Sequence, residues 1–295
     1  MSVPMKAGGA DGAPGNVPGA LSLRSRERAG RAYRRSARRA PAGFVALAAL
    51  AVAFLVLPVV GLVVRSPWRD LPADLTAPGV LTALRLSLVC SLSAVAISTA
   101  VGVPLAWVLA RLRFRGRSLV RALVLLPMVL PPVVGGVALL LAFGRNGLIG
   151  QWLDRGFGIT LPFTTAGAVM AETFVAMPFL IITVEAGLRA LGQRYEDAAA
   201  TLGAGRWTTF RRVTLPLIAP SLGAGAALAW ARALGEFGAT ITFAGNLPGR
   251  TQTMPLAVYL ALENNLGTAM ALSLVMLAIS LTVLVALRGH WFHPR

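Results

Sequence analysis

Four ionisable side chains stand in or beside long apolar runs of this sequence: Glu172, Glu185, Arg232 and Glu236. Charge in such surroundings is costly and is kept where it faces a partner, a bundle interior or a watery path. Arg232 and Glu236 are four residues apart, share one helix face and are expected to pair. That pair either holds the structure together or lines and gates a pore. Glu185 lies near the end of its run and is expected to reach solvent, whereas Glu172 has no local partner. Bond-making chemistry has little to use. The histidines are His290 and His293, both in the last six residues, and the sole cysteine is Cys90. No serine or cysteine has a histidine nearby to activate it. Neither a zinc cluster nor an intrachain disulfide can be assembled. No catalytic, cofactor-binding or metal-ligating residues are therefore expected.

The runs that position these charges read as membrane spans. Hydrophobic residues make up 56% of the 295 and charged residues 13%, against about 25% charged in ordinary soluble domains. Mean hydropathy is +0.71. The 28 Lys and Arg against 11 Asp and Glu leave a net charge of +17. Such a composition excludes a disordered chain, a collagen-like chain and a typical cytosolic enzyme. A helix needs roughly 20 apolar residues to cross about 30 Å of hydrocarbon, and six such runs occur: about 44–64, 86–110, 119–143, 165–188, 216–244 and 268–287. The fold class is all-α, a polytopic membrane protein. The third run carries Pro127 and Pro131-Pro132 followed by Gly135-Gly136. Lost amides inside a membrane are tolerated only against protein or water, so this is either a kinked packing helix or a segment beside a translocation path.

Residues 1–43 form a separate class, rich in Gly, Ala and Pro and then in Arg. They read as a disordered basic tail with no secretory signal and no nucleic-acid role. With the N-terminus in the cytoplasm, the inside segments hold nine Lys and Arg before the first span, five between the second and third, five between the fourth and fifth and two after the last. Outside fall Arg65, Arg69, Arg145, Arg155 and Arg250. The bias places both termini inside.

The longest inside connection, 189–215, is the most informative. Its Ala-rich part before Gly203 predicts a helix. Gly203 and Gly205 permit a sharp break, and 206–213 predicts a second short helix, with Pro216 opening the next span. An acidic-Ala-Ala triplet, three residues, Gly, nine residues, an aliphatic residue, one more and Leu-Pro is spaced here as Asp197-Ala198-Ala199, Gly203, Val213 and Leu215-Pro216. This resembles the EAA loop of ABC-importer permeases, with Asp197 for the usual Glu and Val213 for Ile. The resemblance implies a type I importer permease fold of six spans. It also implies that the bracket docks into a cleft on a separate ATPase subunit, through Asp197, Ala198, Ala199, Gly203, Trp207, Phe210, Val213, Leu215 and Pro216. Small Ala198 and Ala199 suit close approach, and Phe210 suits an apolar pocket on the partner. Arg211 and Arg212 suit either acidic ATPase residues or anionic lipid. The chain carries no Gly-x-x-x-x-Gly-Lys-Ser/Thr loop, so ATP and Mg are expected on the partner and no enzyme activity in this chain.

The fifth run and its exit contain Gly235-Glu236-Phe237-Gly238-Ala239 and Pro248-Gly249-Arg250-Thr251-Gln252-Thr253. They resemble the molybdate branch of the same family, with sulfate permeases as close relatives, and the likeness extends over about residues 80–287. The implied cargo is molybdate, with sulfate or tungstate as the alternative. The implied partners are a second permease copy in a homodimer, two ATPase subunits, an extracytoplasmic binding protein and the lipid of the plasma membrane. The C-terminal regulatory domain that some molybdate permeases carry is not expected. A passing dianion needs weak, exchangeable contacts rather than a fixed cation. The pathway is therefore expected beside Pro131, Pro132, Glu172, Arg232, Glu236, Thr240, Thr242 and Asn246. The contrasting class is an ion-coupled secondary transporter using Glu172 and Glu236 as proton sites, for which paired broken helices are the mark.

Overall fold

The computed structural model describes residues 41–76 and 78–291, and no strand occurs among them. The basic tail through residue 40 and His293 lie outside the described residues. The helices are α1 (Ala42–Arg65), α2 (Leu71–Thr76), α3 (Pro78–Arg111), α4 (Arg117–Val129), α5 (Pro132–Phe143), α6 (Gly150–Phe157), α7 (Thr165–Leu191), α8 (Arg194–Thr201), α9 (Arg206–Thr209), α10 (Leu215–Leu234), α11 (Gly238–Phe243), α12 (Met254–Asn264) and α13 (Leu266–Trp291). Five stretches are long and apolar enough to cross a membrane: α1, α3, α7, the continuous stretch Arg206–Leu234, and α13; a sixth is made if α4 and α5 count as one crossing. The chain divides into two units. The first ends at Gly61 and contains most of α1, and the second starts at Leu62.

Within the second unit, small residues let three helices approach closely. Ala94, Ala106 and Leu109 of α3 share one buried cluster with Ala176, Leu180, Val184 and Leu188 of α7 and Ile218, Ala229 and Ala233 of α10. Larger apolar residues turn outward, as with Leu81, Val89, Leu92 and Val101 on α3, a pattern suited to hydrocarbon as solvent. Thr164 caps α7, its hydroxyl accepting from the Gly167 amide at 3.1 Å.

The unit has two ends. Arg111, last in α3, donates to the Leu188 and Gly192 carbonyls at the end of α7, so α3 and α7 run parallel. At the opposite end, Thr165 donates to the Arg250 carbonyl at 2.8 Å, the Met254 amide to Ser87 at 2.6 Å, and Thr268 to Asp74 at 3.1 Å.

The third expected span, 119–143, is not a single helix. α4 and α5 meet at 118°, and each is about 20 Å long, too short to cross alone. Leu130, at ψ 134 before Pro131, is extended as a residue preceding proline must be, and Pro132 then opens α5. α4 starts at the Arg111 end, where Arg117 donates to the Leu109 carbonyl and Arg121 to Glu185. α5 packs through Leu139 on Ala171, Val175 and Phe243 toward the Thr165 end. The pair therefore leads from the Arg111 end toward the Thr165 end through a bend of 118°.

The fifth span also departs from the unbroken 216–244 run. α10 stops at Leu234, and α11 restarts at Gly238 because the Glu236 carboxylate accepts from the Ala239 amide at 2.7 Å. α5 and α11 cross at contact distance. A Cβ on Gly136 would lie 2.7 Å from Thr242 Cβ and 2.9 Å from the Ala239 carbonyl, so only glycine admits the crossing. The second span starts earlier than residue 86, at Pro78, and α12 was not foreseen because its 11 residues are too few to span. In the α5–α7 connection, Arg145 and then Thr160 hydrogen-bond Asp154 and hold its carboxyl below the ordinary range. A carboxyl so lowered keeps its charge and its contacts above that range and loses both as pH falls through the lowered value.

Candidate coupling loop and membrane pathway

The 189–215 connection folds as a bracket, with differences from expectation. α7 runs on to Leu191 and stops at Gly192, whose φ of +70° turns the chain. The Ala-rich arm is the separate eight-residue α8. Gly203, at φ +79°, makes the sharp break. Gly205 sits at an ordinary φ of −68° and is not needed for it. The second arm is no isolated helix: α9 winds through a π turn, Phe210–Thr214, straight into α10, with the Leu215 amide reaching back to the Phe210 carbonyl. Pro216 has no amide to give and its ring crowds the preceding turn, and a wider turn relieves both.

A buried polar hub anchors the bracket. Arg111, with a side chain 5% exposed, meets Glu196 at 2.9 Å and donates to Leu188 O at 2.8 Å and Gly192 O at 2.7 Å. The Thr214 hydroxyl donates to the same Glu196 at 2.9 Å. One carboxylate thus joins α3, α8 and the π turn, and its arginine adds α7. Sequence reasoning missed both groups. It took the motif acid Asp197, which is exposed and forms no side-chain hydrogen bond or ion pair among the described residues. Asp197 still suits the first turn of α8, where the helix dipole favours an acid. The neighbouring acid one position earlier was visible, but nothing in sequence ties it to an arginine 85 residues away.

Phe210 is partly withdrawn from the surface. It rests half-buried on the protein's own core cluster and stacks on Trp207, centroids 5.7 Å apart. The outward apolar groups are Trp207, 72% exposed, and Leu202, 88% exposed. Ala198 and Gly203 are exposed beside them, Ala199, Val213 and Leu215 are half-buried, and Pro216 is exposed.

In the membrane region, Arg232 and Glu236 form the expected pair at 2.5 Å, though across a helix break rather than along one helix. Glu236 is 1% exposed, and its second oxygen caps α11. Glu185 does not reach solvent. It is buried and shared by Arg121 and Arg189. Glu172 is buried with one carboxyl oxygen lacking any hydrogen-bond partner, as do the Thr240 hydroxyl and the Asn246 carbonyl oxygen. Ala171 and Ala239 share a cluster, which sets Glu172 and Thr240 at one level of the bundle. Thr242 instead spends its hydroxyl on the Gly238 carbonyl at 2.8 Å. Pro131 and Pro132 are exposed at the α4–α5 bend, and Pro132 lies against Gly238. Arg232 and Glu236 thus neutralise each other, while Glu172, Thr240 and Asn246 each keep a polar atom without a partner among the described residues.

A model of the family described as binding-protein-dependent transport system inner membrane component matches residues 102–295. The molybdenum transport system permease protein ModB of Mycobacterium tuberculosis is 47% identical over 234 residues, spanning 79% of this chain and 88% of that one. ModB of Escherichia coli is 43% identical over 209 residues, 71% and 91% of the two chains. The sulfate transport system permease protein CysT of Escherichia coli is 39% identical over 237 residues, 79% and 85%. Among solved structures, a bacterial ABC transporter involved in the import of the acidic polysaccharide alginate superposes with a TM-score of 0.69 at 16% identity, covering 89% of this chain and 97% of that one. The alginate transporter in complex with an alginate pentasaccharide-bound periplasmic protein gives 0.57 at 16% identity, covering 81% and 93%. Both structures share the fold.

Proposed function

This chain belongs to the binding-protein-dependent transport system inner membrane component family, as a multi-pass permease of the molybdate/sulfate group of ABC importers, and from that premise we propose that it carries molybdate across the plasma membrane, driven by ATP hydrolysis on a separate ATPase subunit. One observation carries the mechanism. The bracket turns Leu202, Trp207, Ala198 and Gly203 outward while Arg111 and Glu196 lock its inner side to α3 and α7. A partner gripping the outer side therefore moves the helices and not merely a loop. The continuous winding from α9 into α10 extends that motion to Arg232, beside the break at Glu236.

The bracket end faces the cytoplasm in this reading. It carries Arg113, Arg115, Arg206, Arg211 and Arg212 besides the paired arginines, against five at the other end. Both termini then lie inside. A second permease copy completes the pathway, two ATPase subunits bearing ATP and Mg hold the brackets, and an external binding protein delivers the anion. Higher identity to molybdenum permeases than to the sulfate permease favours molybdate; sulfate or tungstate is the second reading. Reconstitution with a binding protein and ATPase tests it: labelled molybdate should enter vesicles only with ATP, and excess sulfate should leave entry undiminished. Entry without ATP that collapses with a proton uncoupler would instead mark an ion-coupled transporter.

Arg232→Met should leave Glu236 buried without its cation, a cost of about 3–5 kcal/mol. Assembly and rate should fall while the molybdate-to-sulfate ratio stays unchanged. Parallel uptake of the two labelled anions by the variant decides this, and an altered ratio would place Arg232 in anion selection.

A further inference from the structure

A cavity of about 600 Å³ opens at the bracket end between the α3–α4 connection and the end of α7. Its lining includes Arg111, Arg113, Arg117 and Arg189, with Gly192 and Gln193. These arginines are not equally committed. Arg111 is spent on Glu196, Leu188 O and Gly192 O. Arg189 shares Glu185 with Arg121. Arg113 forms no hydrogen bond or ion pair among the described residues. Arg117 donates through Nη2 to the Leu109 carbonyl, which fixes its guanidinium, yet its buried Nε–H has no acceptor. Four guanidinium groups line this wall, and the carboxylates they meet among the described residues are Glu196 and a Glu185 already shared with Arg121. A fixed donor left unspent beside surplus positive charge calls for an anionic oxygen acceptor.

We propose that this cavity binds a phosphate group, seated on Arg113 and Arg117 and bridging the α3–α4 connection to the root of the bracket. Planar guanidinium forks match phosphate oxygens better than a point charge does. The phosphate has two sources, a phospholipid headgroup or free inorganic phosphate. Position favours the lipid. The side of α4 turned away from Arg117 carries Leu119, Leu123 and Leu126, all exposed and spaced along one face, so hydrocarbon lies against the helix whose first turn bounds the cavity. The site stands on this chain's own geometry and does not depend on which anion is transported. A phosphate there would brace the base of the bracket and make its stiffness depend on membrane composition.

The full-length chain is purified in neutral detergent after passage through nanodiscs of phosphatidylcholine with or without phosphatidylglycerol, and retained lipid is read by native mass spectrometry. In a second arm, inorganic phosphate is titrated against thermal unfolding at constant ionic strength. The wild-type chain should keep phosphatidylglycerol. Arg113→Gln with Arg117→Gln should weaken retention by about tenfold or more, the scale of losing charge-assisted pairs, while Arg211→Gln with Arg212→Gln, removing equal charge from the same end, should not. Should the glutamine variant fail to fold, Arg113→Lys with Arg117→Lys keeps the charge and should still hold the lipid less tightly than wild type. A phosphate-induced rise in unfolding temperature that the glutamine pair loses, with no lipid retained, assigns the site to the free anion. No retention and no thermal shift in wild type, or equal loss in both glutamine pairs, would overturn the proposal.

Discussion

Cells relying on an Arg111→Met permease should import essentially no molybdate, although the subunit still reaches the membrane. The methionine keeps the apolar stem but removes every donor, so Glu196, Leu188 O and Gly192 O lose their shared cation together. Breaking a buried pair costs about 3–5 kcal/mol. Glu196 is 17% exposed and recovers part of this from water, which places the loss near the lower figure. That is still enough to unhook α8 from α3 and α7. Trypsin provides the direct readout: Arg194 and Arg206 flank the freed arm and should be cut far faster in the variant at equal membrane levels. Full uptake together with an unaltered digestion pattern would show that the hub does not anchor the bracket.

A second large effect is expected at Gly203. Nothing lies within 4 Å of a Cβ built there, so crowding is not the issue. The cost is in the backbone, because a φ of +79° is one that side chains rarely adopt. An ordinary residue in this region is disfavoured by roughly 1–2 kcal/mol, and a β-branched one by more. Gly203→Val should therefore flatten the break between α8 and α9, misplace Leu202 and Trp207 and stop import. Gly203→Asn should import nearly as well as wild type, since asparagine tolerates the left-handed region. The comparison of these two variants at matched membrane levels is the informative measurement. Equal import by both would mean that the shape of the break is immaterial to transport.

What could be read in advance follows from how local each signal is. The apolar runs declared α1, α3, α7, α10 and α13 because hydrocarbon demands about 20 such residues in a row. The Gly203 break and the Arg232–Glu236 pair rest on contacts within a few residues of each other, so spacing alone exposed them. The 118° bend was only half legible. Pro131 and Pro132 announce an interruption, but its angle depends on the Gly136 and Gly238 crossing, a contact between distant segments. The interruption of the fifth run was hidden because Glu236 could pair with Arg232 in a continuous helix equally well. The hub at Glu196 was illegible because its cation comes from a helix end 85 residues earlier. Glu185 misled for the same reason, since proximity to a helix end suggests water and the structure supplies Arg121 instead.

The π turn at Phe210–Thr214 has a mechanical meaning for the helix beyond it. A turn wound with one surplus residue is a stored twist. If that residue is taken up into ordinary α winding, everything beyond it rotates by about 100° about its axis. A pull on the bracket can therefore be delivered as torque, re-aiming the side chains of α10 without tilting the rod that bears them.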